Sequence, residues 1–130
     1  MKLIIGFLII GFLASCSDGK KVVVGNKTTM EINMVYDAGN VVKGEIVNAK
    51  FKIKNTGDYP LVIAEVKGSC SCTVAEYPEE PLAPGEKATI LAHVNTDKTG
   101  AGILNKSVSI VSNTEPSITR VVIKANVTTK

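Results

Sequence analysis

The side chains with the most chemistry to offer in this chain are three cysteines, Cys16, Cys70 and Cys72. Cys70 and Cys72 are separated by Ser71 alone. In an extended strand, residues i and i+2 share a face with their Cα atoms about 6.6 Å apart. That spacing is at the limit for a disulfide, and parallel Cβ vectors hold the sulfurs apart. A bridge between these two cysteines therefore needs a tight turn, which the small Ser71 permits. Three readings stand side by side. The pair closes the end of a strand and does nothing else. Alternatively it is a redox pair, more easily reduced than an ordinary structural bridge because the loop is so short. Or the two thiolates hold a soft metal such as Cu(I), with a third ligand from elsewhere. An even pair suits an oxidising, exported setting.

Other reactive groups are sparse. His93 is the single histidine. It alternates out of phase with Ile90, Ala92 and Val94, so it belongs on the wet face of its strand. With no second histidine, a Ser-His-Asp triad and a two-histidine zinc site are both hard to build. Glu76, Glu79 and Glu80 sit in a proline-rich stretch that reads as a solvated loop. Nothing there suggests the concave sugar site that a glycosidase carboxylate pair needs. These features favour a non-enzymatic protein with no catalytic residues and no cofactor. The net charge of +3 is small and scattered, which argues against a nucleic-acid partner. Lys50, Lys52 and Lys54 form a stripe about 13 Å long, the kind of stripe that keeps a sheet face wet and discourages edge pairing.

The remaining cysteine closes the N-terminal segment. Lys2 is followed by an apolar run from Leu3 to Leu13, then Ala14, Ser15 and Cys16. The run is long enough for a signal-peptide h-region and well short of the roughly 20 apolar residues that span a bilayer. Leu13-Ala14-Ser15-Cys16 resembles the lipobox of bacterial lipoproteins, in which the thiol takes a diacylglycerol and the small residues fit the signal peptidase. The expected organisation is a lipoprotein signal peptide over 1–15, a lipidated Cys16 with a flexible tether over 16–30, and a folded domain over 31–130. Cleavage leaves about 115 residues, one ordinary domain with a tail. The tether carries a Val22-Val23-Val24 patch that could instead pair as an edge strand.

The domain reads as strands throughout. From Glu45 to Lys54, Val47, Ala49, Phe51 and Ile53 point one way, and Asn48, Lys50, Lys52 and Lys54 point the other. Ala88, Ile90, Ala92 and Val94 repeat the pattern, as do Val121, Ile123, Ala125 and Val127. Val108 and Ile110 mark a further strand, and Ile32, Met34 and Tyr36 mark the first. Leu61 to Val66 is apolar enough for a central strand. Turn residues separate these runs at Ala38-Gly39-Asn40, Asn55 to Asp58, Pro81 to Gly85, Thr99 to Gly102 and Asn113 to Ser117. The class is all-β, an immunoglobulin-like sandwich of six or seven strands.

Three segments carry a family resemblance. They are Asn55-Thr56-Gly57-Asp58-Tyr59-Pro60-Leu61-Val62-Ile63, Ser69-Cys70-Ser71-Cys72-Thr73 and Pro84-Gly85-Glu86, preceded by Tyr36-Asp37-Ala38-Gly39 and Gly44. In this order they resemble the bacterial domain-of-unknown-function 1573 family, common in lipoproteins and exported proteins of the Bacteroidetes. The likeness covers roughly Met34 to Val127. It implies a seven-stranded immunoglobulin-like sandwich related to Hydin-type modules, and it implies no activity. The family has Gly between the cysteines where this chain has Ser71, which disfavours a positive φ there.

The expected function is a lipid-anchored, non-enzymatic module of the bacterial envelope, held to a membrane through Cys16. Ser17 rather than Asp after the lipidated cysteine points to the outer membrane, by analogy with sorting in enteric bacteria. Its expected partner is another envelope protein or a polysaccharide, met through strand edges or loops. The alternative is a redox or Cu(I)-handling envelope protein that works through Cys70 and Cys72.

Overall fold

A computed structural model describes residues 25–130. The chain runs as β1 (Met30–Ile32), β2 (Val35–Val42), β3 (Ile46–Asn55), β4 (Ile63–Gly68), β5 (Thr73–Glu76), β6 (Lys87–Asn95), β7 (Gly102–Ser112) and β8 (Ile118–Thr128). One 3₁₀ turn, Thr96–Lys98, follows β6. The strands form two four-stranded sheets, ordered β1-β3-β6-β5 and β2-β8-β7-β4. The leader, Cys16 and the Val22-Val23-Val24 patch lie outside the described residues.

Period-two alternation builds the core. Val47, Ala49, Phe51 and Ile53 of β3, Ile90, Ala92 and Val94 of β6, and Val121, Ile123 and Ala125 of β8 are all buried. Leu104, Val108 and Ile110 of β7 complete the facing layer. Tyr36 of β2 meets Phe51 edge-on across the seam between the sheets, with ring centroids 6.3 Å apart. Edge-on contact puts the positive rim of one ring against the negative face of the other.

Among the described residues, eight strands stand where seven were expected, for local reasons. The single first strand expected through Ile32, Met34 and Tyr36 is split. β1 pairs antiparallel with β3 in one sheet, and β2 pairs parallel with β8 in the other. Asn33 and Met34 carry the chain across. β5 has no sequence alternation to announce it, because Val74 is exposed and Ala75 is small. The Leu61–Val66 run is not a central strand. Leu61 forms an isolated bridge with Leu82, and the strand proper, β4, lies at an edge. The run is apolar because Leu61 and Ile63 both reach the core.

The folded unit also begins earlier than residue 31. Thr28 is buried, its N–H donates to Asn113 C=O at 2.9 Å, and β1 starts at Met30.

Candidate functional site

The turn between β4 and β5 brings Cys70 and Cys72 together. Thr73 N–H donates to Cys70 C=O at 3.3 Å, which closes a tight turn around Ser71. The Cα atoms of the two cysteines are 5.2 Å apart and the sulfurs are joined as a disulfide. Ser71 manages this with a negative φ, since among the described residues only glycines have positive φ. The Thr73 hydroxyl lies 3.7 Å from each sulfur. Cys72 is buried against the core, while Cys70 is half-buried.

Flanking contacts hold the turn at both ends. Ser69 N–H donates to Ser107 C=O at 2.9 Å, and Asn95 N–H donates to Cys72 C=O at 2.9 Å. Gly68 faces Thr73 so closely that a Cβ on it would lie 2.5 Å from the Thr73 Cβ. No larger residue fits there without moving the turn. Among the described residues, no group of three or more His, Cys, Asp or Glu side chains is gathered as a metal site would require.

Past the turn, β5 is an edge strand. The bond from Asn95 N–H to Cys72 C=O sets the phase of the ladder, so Val74 bonds β6 and Ala75 directs its N–H and C=O outward. The Val74 side chain is 64% exposed. His93 lies beside it on the outer face of β6, as alternation required. His93 Nδ1 is 2.6 Å from Asn48 Oδ1, and Nε2 is 3.4 Å from Glu76 Oε1. Asn48 Oδ1 can only accept, so Nδ1 carries a proton. Glu79 and Glu80 are exposed in the loop after β5.

A second constellation lies at the other end of β6, about 27 Å from the cysteine turn. Here Asn55 is fully buried, and every hydrogen-bonding position of its side chain is filled. Oδ1 accepts from the Thr28 hydroxyl at 2.8 Å and from Gly57 N–H at 3.1 Å. Nδ2 donates to Tyr59 C=O at 2.7 Å and to Leu82 C=O at 2.9 Å. The Pro84-Gly85 turn docks on the same residue, with Gly85 N–H donating to Asn55 C=O at 2.8 Å and Asn55 N–H to Glu86 C=O at 3.0 Å. Proline followed by glycine at φ +82° suits a type II turn, which requires a positive φ at its third residue. The Asn55-Thr56-Gly57 and Pro84-Gly85-Glu86 motifs are thus one structural corner, the corner where Thr28 enters the fold. Both motifs read as turns in the sequence, where nothing marks the buried amide that joins them.

Solved structures share this architecture. A protein of unknown function from Porphyromonas gingivalis W83 superposes with a TM-score of 0.67 at 24% identity, over 77% of this chain and 47% of that one. The secreted serine protease VesC of Vibrio cholerae matches with a TM-score of 0.60 at 13% identity, over 77% of this chain and 23% of that one. An ASH/PapD-like domain of human CEP192 matches with a TM-score of 0.64 at 10% identity, over 96% and 99%. At these identities the likeness is one of fold. The chain spans about half the length of the Porphyromonas protein and about a quarter of the protease. No curated protein matches it. The Asn55 corner, the Cys-x-Cys turn and the sandwich that carries them fall within residues 28–127, which match the family model described as Protein of unknown function (DUF1573), and the chain belongs to that family.

Proposed function

We propose that this protein is a lipid-anchored, non-enzymatic module of the bacterial envelope that holds another envelope protein through its free strand edges. One observation carries the reading. The N-terminal segment enters the sandwich at the Asn55 corner, whereas the cysteine turn and the ends of β4 and β5 beside it lie at the opposite end of β6. A chain tethered at Cys16 would thus hold one end of the sandwich toward the membrane and offer the other to a partner. Main-chain hydrogen bonds along an exposed edge supply affinity, and alternate side chains supply selectivity. The lipobox-like sequence at Cys16 supports the anchor, and Ser17 supports the outer membrane as its place.

Photo-crosslinking in native membranes tests this. A crosslinker at Val74 or Glu65 should give a discrete adduct with one envelope protein, and a crosslinker at Asp58, beside the entry corner, should not. Absence of any adduct from the β4, β5 and β3 edges would overturn the reading.

A second reading has its own observation. Cys70 and Cys72 are bridged across a single residue, and Cys70 is partly open to solvent. Exposed bridges are the ones that exchange with thiols, so the pair could instead serve in redox or, once reduced, in Cu(I) handling. Titration against glutathione, with elemental analysis of the reduced protein, separates the two.

A further inference from the structure

We propose that the free edge of β3 is a docking site for an extended peptide in which acidic residues alternate with apolar ones. The inference rests on the reading that this module works through strand edges, and it names one edge and the chemistry of its partner. β6 covers one side of β3 along its length, pairing from Ile46 to Lys54. β1 covers the other side only at Ile53, Lys54 and Asn55.

Two bonds fix which residues look which way: Asn55 N–H to Glu86 C=O, and Thr56 N–H to Thr29 C=O. By alternation, Val47, Ala49, Phe51 and Ile53 bond β6, while Asn48, Lys50, Lys52 and Lys54 direct N–H and C=O to the β1 side. Lys54 meets Glu31 there. Lys52 N–H meets not a backbone carbonyl but Asn33 Oδ1, at 2.9 Å. The side chain of Asn33 ends β1, and the main chain leaves for the second sheet, where Met34 C=O accepts from Val122 N–H at 2.8 Å. Beyond that point the backbone groups of Lys50 and Asn48 face no strand among the described residues. A groove of about 710 Å³ runs over β1, β3 and β6 beside this edge, with Glu31, Asn33, Lys50, Lys52, Lys87 and Thr89 in its lining.

β1 itself displays the pattern that this edge accepts. Its sequence is Met30-Glu31-Ile32. Glu31 is exposed opposite Lys54, while Met30 and Ile32 pack toward the core. A strand that prolonged this row past Asn33 would set its outward residues opposite Lys50 and Asn48, with Lys52 a diagonal neighbour, because directly paired residues share a face. Neither lysine makes an ion pair among the described residues. Lys54 and Lys87 are direct cross-strand partners, a like-charge pairing that favours an added anion nearby. The intervening apolar residues of the peptide would turn to the seam where Tyr36 meets Phe51.

The test uses full-length protein in detergent and a synthetic peptide, acetyl-Thr-Val-Glu-Val-Glu-Val-Thr-amide. A control peptide carries Lys in place of both Glu. Hydrogen exchange at the Lys50 and Asn48 amides is read by NMR. The acidic peptide should slow both by at least about tenfold, as new main-chain bonds do, and the basic peptide should not. The exposed Lys50→Glu, Lys52→Glu double variant should reverse that preference. Unprotected Lys50 and Asn48 amides at millimolar peptide would overturn the inference. So would protection confined to Ala75 on β5, a result that leaves the interaction module standing and moves its site.

Discussion

The Thr28 hydroxyl donates to Asn55 Oδ1 at 2.8 Å, and through that bond the start of the folded chain is locked to the end of β3. The amide it reaches also holds Gly57 N–H and the carbonyls of Tyr59 and Leu82. Truncating it leaves several buried polar groups without partners. Asn55→Ala should therefore cost about 2–4 kcal/mol, since each orphaned buried group carries its desolvation penalty. Gly57→Ala should also destabilise, because the added Cβ would sit 2.1 Å from the Thr28 Oγ1 and 2.7 Å from the Thr29 amide nitrogen. Urea melts of both variants check this. Native-like midpoints would mean that the corner is dispensable.

Phe51 and Lys52 are neighbours in sequence and opposites in environment. Phe51 is fully buried and touches Tyr36 across the seam, so Phe51→Ala should cost about 3–5 kcal/mol. The Lys52 side chain is exposed, and its bond to Asn33 is made by the backbone, which Lys52→Ala keeps. That variant should stay within about half a kcal/mol of the parent. The same urea series measures both, and equal losses would contradict the facing of β3.

Removing both thiols with Cys70→Ser, Cys72→Ser should lower stability by about 1–2 kcal/mol, because a bridge across one residue restrains the unfolded chain little. Under the interaction-module reading, the double variant should crosslink to the same partner as the parent. Under the redox reading, the pair should equilibrate with glutathione at a potential well above about −300 mV, below which structural disulfides sit. A glutathione titration with mass readout decides between them.

Cys16→Ala should release the protein from membranes. One acyl chain holds a protein only marginally, whereas two or more hold it stably. Fractionation after a high-salt wash gives the answer, and persistent membrane association would rule out the lipid anchor. Protease shaving of intact cells then reports whether the anchored domain faces outward.

What could be read in advance follows from where side chains decide structure. β3, β6 and β8 announce themselves because each alternates cleanly between core and water, and that alternation alone puts Phe51 inside and His93 outside. The nearness of Cys70 and Cys72 follows from their spacing, and the small Ser71 leaves room for the turn. Three features leave no such trace. The sheet switch at Asn33 depends on one side chain replacing a backbone carbonyl, and an asparagine between two apolar residues carries no mark of that. β5 is held by its ladder to β6, not by an apolar face of its own. Asn55 sits in a motif rich in turn formers, so its buried amide looks like one more loop residue until Thr28, Tyr59 and Leu82 converge on it.

The parallel pairing of β2 with β8 sets the order in which the molecule can be finished. Val35 lies against Val122, and Val42 against Thr128. A polypeptide emerges N-terminus first, so β2 must wait for β8 before its sheet exists. β7 waits as well, since its longest pairing is also with β8. Half of the sandwich therefore lacks an inner strand until β8 has emerged. Were the chain exported unfolded through a membrane pore, as the proposed lipid anchor requires, this delay would help: translocation would meet a polypeptide with no finished sheet to resist it.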